Sequence, residues 1–306
     1  MLPTPLVLFA CCLALAGCSA TAVPEPAVVG GTSTPSSPIT TATPSTSPIT
    51  TTPATSPITT VPTTSPVAVR PPPPHARFDY QIGQSYPPPA GVRVVTRDRA
   101  AAPVPGLYNV CYLNAYQTQT DETDWWLAHH PDLLLTGVDG HHVRDPNWDE
   151  LLLDISTPGR RTALADIVNG WIDGCERSGF NAVEPDNLDS WTRSAGLLTA
   201  ADALAFARLI ITHAHADGLA IAQKNAADIA DQGWQAGFDF AVAEQCADYD
   251  ECRSYTAAYG DEVIVIEYGA TGLAEACAGW GNTLSVVRRD LDVTAPGSAG
   301  YVYQTC

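Results

Sequence analysis

From Phe78 onward the sequence repeats one unit: a short run of strand-forming apolar residues, then a longer stretch with helical spacing. The runs are Phe78–Gly83, Val92–Thr96, Leu107–Leu113, Leu151–Ser156, Phe180–Asp186, Leu219–Asn225, Phe238–Gln245 and Val263–Gly269, with Gly300–Gln304 a candidate ninth. Helical spacing is plainest over Arg160–Gly179, where Leu164, Ile167, Val168, Trp171, Ile172 and Cys175 recur at three- and four-residue steps. A second such stretch begins at Thr199, which caps it with Asp202 three residues on, and stops at Gly218. Strands separated by helices must pair in parallel through crossover connections. Eight such units predict an α/β fold, a (β/α)8 TIM-type barrel. The first strand–helix turn carries no GxGxxG or P-loop, so nucleotide chemistry has no support.

Four of the runs begin apolar and end polar. Phe180–Asp186 ends in Glu184 and Asp186, two residues apart and so on one side of a strand. Leu219–Asn225 ends in Lys224 and Asn225, Phe238–Gln245 in Glu244 and Gln245, and Val263–Gly269 in Glu267 and Tyr268. In a parallel barrel the C-terminal strand ends form the mouth of the pocket, where reactive side chains sit. Carboxylates gathered there, with no Ser–His or Cys–His partner evident, suit cleavage of a glycosidic bond. One carboxyl protonates the leaving oxygen while another attacks or activates water.

Composition divides the chain into three parts. Residues 1–18 are almost wholly apolar and end in Leu-Ala-Gly-Cys, the pattern of a lipoprotein signal with Cys18 as the lipidated residue, although no Lys or Arg precedes it. Residues 19–74 are rich in Thr, Ser and Pro, repeat Ser-Pro-Ile-Thr-Thr from Ser37, Ser47 and Ser56, and have no apolar face to bury. They read as an extended stalk. Residues 75–306 form one domain. Glu25 and Arg70 cancel, so the domain carries the full formal charge of −18. That field repels nucleic acid and favours cationic ligands. The expected location is the outer face of the cell membrane, anchored through Cys18, with the chain acting as a monomer.

Three cysteines, Cys11, Cys12 and Cys18, lie in the leader, and six lie in the domain. Six cysteines allow 15 connectivities. Cys246 and Cys252 are close enough to close a small loop, Cys277 with Cys306 would tie down the C-terminus, and Cys111 and Cys175 remain. No Cys or His spacing suggests a metal site. His213 and His215 fall near a helix end, away from the strand mouths.

The segments Phe180–Asp189 (FNAVEPDNLD), Gly218–Asn225 (GLAIAQKN), Val242–Cys252 (VAEQCADYDEC) and Val263–Gly269 (VIVIEYG) together resemble glycoside hydrolase family 114, the endo-α-1,4-polygalactosaminidases, also seen in spherulin-4-like proteins. The resemblance runs from about Tyr80 to Glu267. It implies a (β/α)8 barrel that hydrolyses α-1,4 links in galactosamine-rich polysaccharide without a metal or organic cofactor. Such a polymer is cationic where deacetylated, in keeping with the charge. The family's Glu-Pro-Asp-Asn motif falls on Glu184–Asn187 and implies Asp186 as nucleophile. The Glu of its Asn-Glu-Gln-Cys motif falls on Glu244, the general acid/base, with Ala243 standing where Asn is usual. Glu184 and Glu267 are then candidates for gripping amino groups, Tyr80, Trp191 and Tyr268 for stacking on sugar faces, and Asn187 and Lys224 for further substrate contacts. The chain departs from the family pattern after Leu113 and at Asp98, which bears on the outer subsites.

Each of these residues also has a structural reading. Glu184 could pair with Lys224, the only lysine of the chain, and Asn187 and Asp189 could simply shape a turn. A non-catalytic surface lipoprotein that holds cationic polysaccharide in the same acidic cleft is the alternative function.

Overall fold

In a computed structural model, residues 68–306 are described. The leader with Cys18 and the stalk as far as residue 67 lie outside them. Eight strands run in parallel, each paired with the next in the chain: β1 (Phe78–Gln81), β2 (Val94–Asp98), β3 (Tyr108–Asn114), β4 (Ala182–Asp186), β5 (Ala220–Lys224), β6 (Phe240–Glu244), β7 (Val263–Glu267) and β8 (Ser285–Arg289). The last strand, β9 (Tyr303–Thr305), adds antiparallel to β8. The helices are α1 (Thr123–His129), α2 (Pro158–Ser178), α3 (Ala200–Ala216), α4 (Ala230–Ala236), α5 (Cys252–Tyr259) and α6 (Ala270–Trp280).

Alternation along the strands builds two apolar layers. Phe78, Val94, Val110, Ala182, Ala222, Phe240, Val242, Ile264, Ile266 and Val287 fill the barrel interior. Their neighbours Cys111, Leu113, Val183, Ile221, Ala241, Val263 and Val265 face outward and pack with the helices. Helix α2 contributes Leu164, Val168 and Ile172 to that outer layer, each fully buried and each stabilising by roughly 1.5–3 kcal/mol. Thr157 caps its N-terminus on the Arg160 N–H, and Gly179, at φ 91°, closes its C-terminus in the left-handed conformation that glycine tolerates best. The expected Thr199–Asp202 capping box opens α3. His213 and His215, in the last turn of α3, bond Asp173 and Asp239.

The sheet nearly closes on itself. The β1–β8 seam has no backbone ladder among the described residues, and side chains bridge it instead. Ser285 Oγ accepts from the Ala76 N–H at 2.9 Å, and Arg289 donates to Asp79 at 3.1 Å with both side chains fully buried. Disulfides join Cys111 to Cys175, Cys246 to Cys252 and Cys277 to Cys306. The first ties β3 to α2 and the third ties α6 to the C-terminus.

Two strand expectations are corrected. Leu151–Ser156 is not a barrel strand. It is buried inside the long excursion between β3 and α2, where isolated bridges pair Leu151 with Arg144, Leu152 with Gln117 and Leu153 with Leu134. β4 takes the expected place beside β3, and the eighth barrel strand is Ser285–Arg289, whose short apolar core precedes two arginines.

Residues 69–73 reach the barrel at its base, by the N-terminal strand ends. Pro72 is buried, Val69 packs against the interior cluster, and the Tyr108 hydroxyl at the start of β3 donates to the Arg70 carbonyl at 2.7 Å. Among the described residues, no helix is long and apolar enough to cross a membrane.

Candidate active site

At the opposite end, the inward positions of the last strand residues converge. Those positions are Tyr80 on β1, Tyr112 and Asn114 on β3, Glu184 and Asp186 on β4, Lys224 on β5 and Glu244 on β6, with Tyr268 just beyond β7. Asn187, Asn225 and Gln245, each directly after one of these strands, adopt left-handed backbone at φ 65°, 51° and 56°. Such turns end a strand abruptly and, in non-glycine residues, collect at functional sites. Here they aim polar groups at the carboxylates. The Asn187 N–H donates to Asp186 Oδ1 at 2.8 Å. Asn225 donates from Nδ2 to Glu244 Oε2 and accepts from the Glu244 N–H, both at 2.9 Å.

Lys224 is the hub. Only 1% exposed, its Nζ lies 3.1 Å from Glu184, 3.2 Å from Asp186 and 3.5 Å from Glu244, and it donates to the Tyr80 hydroxyl at 3.0 Å. Burial alone would lower its pKa, but Asp186, Glu244 and Glu184 reverse that and raise it well above the ordinary lysine value. Burial likewise pushes the Asp186 carboxyl up, yet Lys224, the Tyr112 hydroxyl at 2.8 Å and the Asn187 N–H hold it below the usual carboxylate range. For Glu184, fully buried, burial wins over Lys224 and its pKa is raised. Tyr268 donates to Glu244 Oε1 at 2.5 Å, and burial raises the phenols of Tyr80, Tyr112 and Tyr268 so that they remain donors.

Above this floor lies a cleft of about 490 Å³, lined by Asp186, Asn187, Glu244, Tyr112 and Tyr268 and walled by Asp98, Asp145, Glu150, Asp189 and Asp292. Arg193 is the basic residue in its lining, and Trp148 stands exposed at the rim. A second groove, of about 520 Å³, shares Glu244, Asn225 and Asp189 with the cleft and is lined by Trp191 and Tyr249.

The structure thus brings Asp186, Glu244, Asn187 and Tyr268 to the cleft, and Trp191 to the adjoining groove. Tyr80, Glu184 and Lys224 lie beneath the cleft floor. At 0–1% exposure they cannot stack on or grip a sugar, and the Glu184–Lys224 pair is the structural alternative read from the sequence. Glu267 is not in the cleft. Its neighbour Tyr268 takes the inward position, so alternation turns Glu267 outward under α6, where it accepts from the Ala247 N–H at 2.9 Å. Gly272 makes room for it, since a Cβ there would collide with Glu267 Oε2. Burial raises this carboxyl to about 7, against the Ala247 bond. Ala243 also faces outward and is fully buried, so the departure from the family motif does not touch the cleft.

Sequence reasoning missed Tyr112, Asn114, Asp145, Glu150 and Arg193. Tyr112 and Asn114 could have been found by continuing the inward alternation from Val110. The other three lie on loops, where no periodicity marks them. Arg193 contacts Asp145 at 2.7 Å and Asp189 at 2.8 Å, and donates to Asn187 at 3.1 Å. Asn114 accepts from Asn187 at 3.0 Å and donates to Glu150 at 2.9 Å.

Among solved structures, the chain resembles Ega3 from Aspergillus fumigatus, determined in complex with galactosamine. The TM-score is 0.63 and the identity 22%, over 78% of this chain and 98% of that one. It also resembles the glycoside hydrolase domain of PelA from Pseudomonas aeruginosa, in a single-site variant, with a TM-score of 0.50 and 14% identity over 76% and 99% of the two chains. At these identities the likeness establishes the barrel fold. Comparison with curated proteins gave no match. The sequence model of glycoside-hydrolase family GH114 matches residues 59–306, the whole barrel. With the fold and the family match in agreement, this chain belongs to glycoside hydrolase family 114.

Proposed function

We propose that the domain cleaves internal α-1,4 links of galactosamine-rich polysaccharide, with Asp186 as nucleophile and Glu244 as acid/base. The observation that carries this reading is the placement of both carboxylates on one ammonium, Lys224 Nζ, at the floor of an acidic cleft. The Lys224 ammonium and the Tyr112 and Asn187 donors around Asp186 favour its ionised form, which an attacking carboxylate requires. Glu244 opens to both the cleft and the adjoining groove, where a glycosidic oxygen bridging two sugars would lie. Asp186 would form a bond to the anomeric carbon as Glu244 gives its proton to the departing oxygen. Water, deprotonated by Glu244, would then release the sugar from Asp186.

Separation supports this order of events. Unless the two oxygens and Nζ are nearly collinear, contacts of 3.2 and 3.5 Å keep the carboxyls closer than the ~6.5–9.5 Å of inverting enzymes. Retention of anomeric configuration is therefore the expected outcome. The choice of a cationic polymer rests on the acidic walls and the −18 charge, and is in keeping with the galactosamine bound to Ega3. We also infer export with lipid attachment at Cys18, which agrees with three disulfides in the domain.

The test is incubation of the protein with α-1,4-galactosamine polymer, reading released oligomers by mass spectrometry. Asp186→Asn and Glu244→Gln serve as controls and should each lose activity by orders of magnitude. Tight, salt-sensitive binding without release would favour the non-catalytic alternative, and full activity in both variants would end the catalytic assignment.

A further inference from the structure

Among the cleft acids, the described residues give no cation to Asp98, Glu150 and Asp292, and of these Glu150 is the one fixed by amides beside Asp186. Lys224 contacts Asp186 and Glu244, and Arg193 contacts Asp145 and Asp189. Among the described residues, Glu150 has no ion-pair partner. Its Oε2 is held by two amides, Asn114 Nδ2 at 2.9 Å and Gln117 Nε2 at 3.3 Å. Its Oε1 takes no hydrogen bond from the described residues, and the side chain lines the cleft beside Asp186. The amides fix the carboxyl in one orientation, and its second oxygen is left for something that is not protein.

We propose that Glu150 reads the free amino group of a galactosamine unit docked against Asp186. This rests on the function proposed above and adds the residue that distinguishes an amino sugar from its N-acetylated form. Burial pushes the Glu150 carboxyl up to about 7, with the Asn114 bond opposing and the charges of Asp186 and Asp145 adding. The charged groups around it are those two carboxylates, the Arg193 guanidinium on Asp145 and, behind Asp186, Lys224. An arriving ammonium is a new positive neighbour, and it favours the carboxylate. A carboxyl raised in this way is partly protonated near neutral pH, so docking of the ammonium releases a fraction of a proton. An N-acetylated unit is neutral and releases none.

The experiment uses the full chain carrying Glu244→Gln, so that ligand is bound and not cut. Titration calorimetry with a galactosamine tetramer, in two buffers of different ionisation heat, gives the proton count. The chain with Glu150 intact should release measurably more proton than the same chain with Glu150→Gln, and the N-acetylated tetramer should show no such difference. Glu150→Asp keeps the charge and should keep the release. In the hydrolytic protein, Glu150→Gln should reduce the preference for free-amine over acetylated polymer roughly tenfold in kcat/KM. Equal proton counts with and without Glu150, or an unchanged preference, overturn the proposal while leaving the hydrolase reading intact. Failure of the wild-type chain to release oligomers from the amine polymer ends both.

Discussion

Replacing Lys224 by methionine removes the charge at the centre of the site while keeping most of the side chain's volume. Lys224 is 1% exposed and its Nζ lies within 3.5 Å of three carboxylates, so the substitution strands Glu184, Asp186 and Glu244 together without their cation. Breaking a buried pair by deleting one partner costs about 3–5 kcal/mol. In a domain of this length each kcal/mol moves Tm by about 2–4 °C, so the variant should melt roughly 10 °C below wild type at pH 7. The sign with pH follows from the same contacts. Protonating the stranded carboxylates relieves their repulsion, so the gap should shrink as pH falls from 7 towards 4. Melting by circular dichroism at four or five pH values in that range measures both. A Lys224→Met protein melting within 2 °C of wild type at pH 7, or a gap that does not change with pH, would refute the reasoning that Lys224 holds the carboxylates together.

Tyr112→Phe removes a hydrogen bond to ionised Asp186, so the Asp186 pKa should rise and the acid limb of the kcat/KM profile should move to higher pH, by about one unit at most. Glu267 is protonated in the fold up to about pH 7, against an unfolded value near 4.5. The folded state therefore binds the extra proton between those values, and stability should fall as pH rises from about 4.5 to 7. Glu267→Gln should remove roughly 2–3 kcal/mol of that loss, read as a flatter plot of unfolding free energy against pH. Cys18→Ala should move the protein from the membrane fraction to the medium. A processed chain whose N-terminus is unlipidated Cys18, or one cut elsewhere, would count against the anchor.

The barrel and the carboxylates at its mouth were legible because strand ends carry their polar residues in a repeating local pattern. Glu184 and Asp186, two residues apart, do share the inward side of β4. The same rule, applied to Glu267 and Tyr268, shows that only one of two adjacent residues can face the cleft. The sequence suggested both. Leu151–Ser156 misled for a related reason: an apolar run records burial, and burial in an excursion looks the same as burial in a sheet. Ser285–Arg289 was hidden by its two arginines, one of which, Arg289, is fully buried against Asp79 across the seam. Asp145 and Glu150 share one turn of the excursion before α2, and Arg193 comes from the segment after β4, so they meet only once the barrel has formed. No spacing in the chain anticipates that meeting.

The segment at residues 69–73 joins the barrel at its base, held by Tyr108 and the buried Pro72, while the cleft opens at the far end. A support coupled at this segment would therefore meet the domain on the face opposite its mouth. Long polymer could approach without threading between the enzyme and the support. Beads or electrodes loaded through the N-terminal side should thus keep access to high-molecular-weight substrate, whereas coupling through carboxylates at the cleft rim should block it.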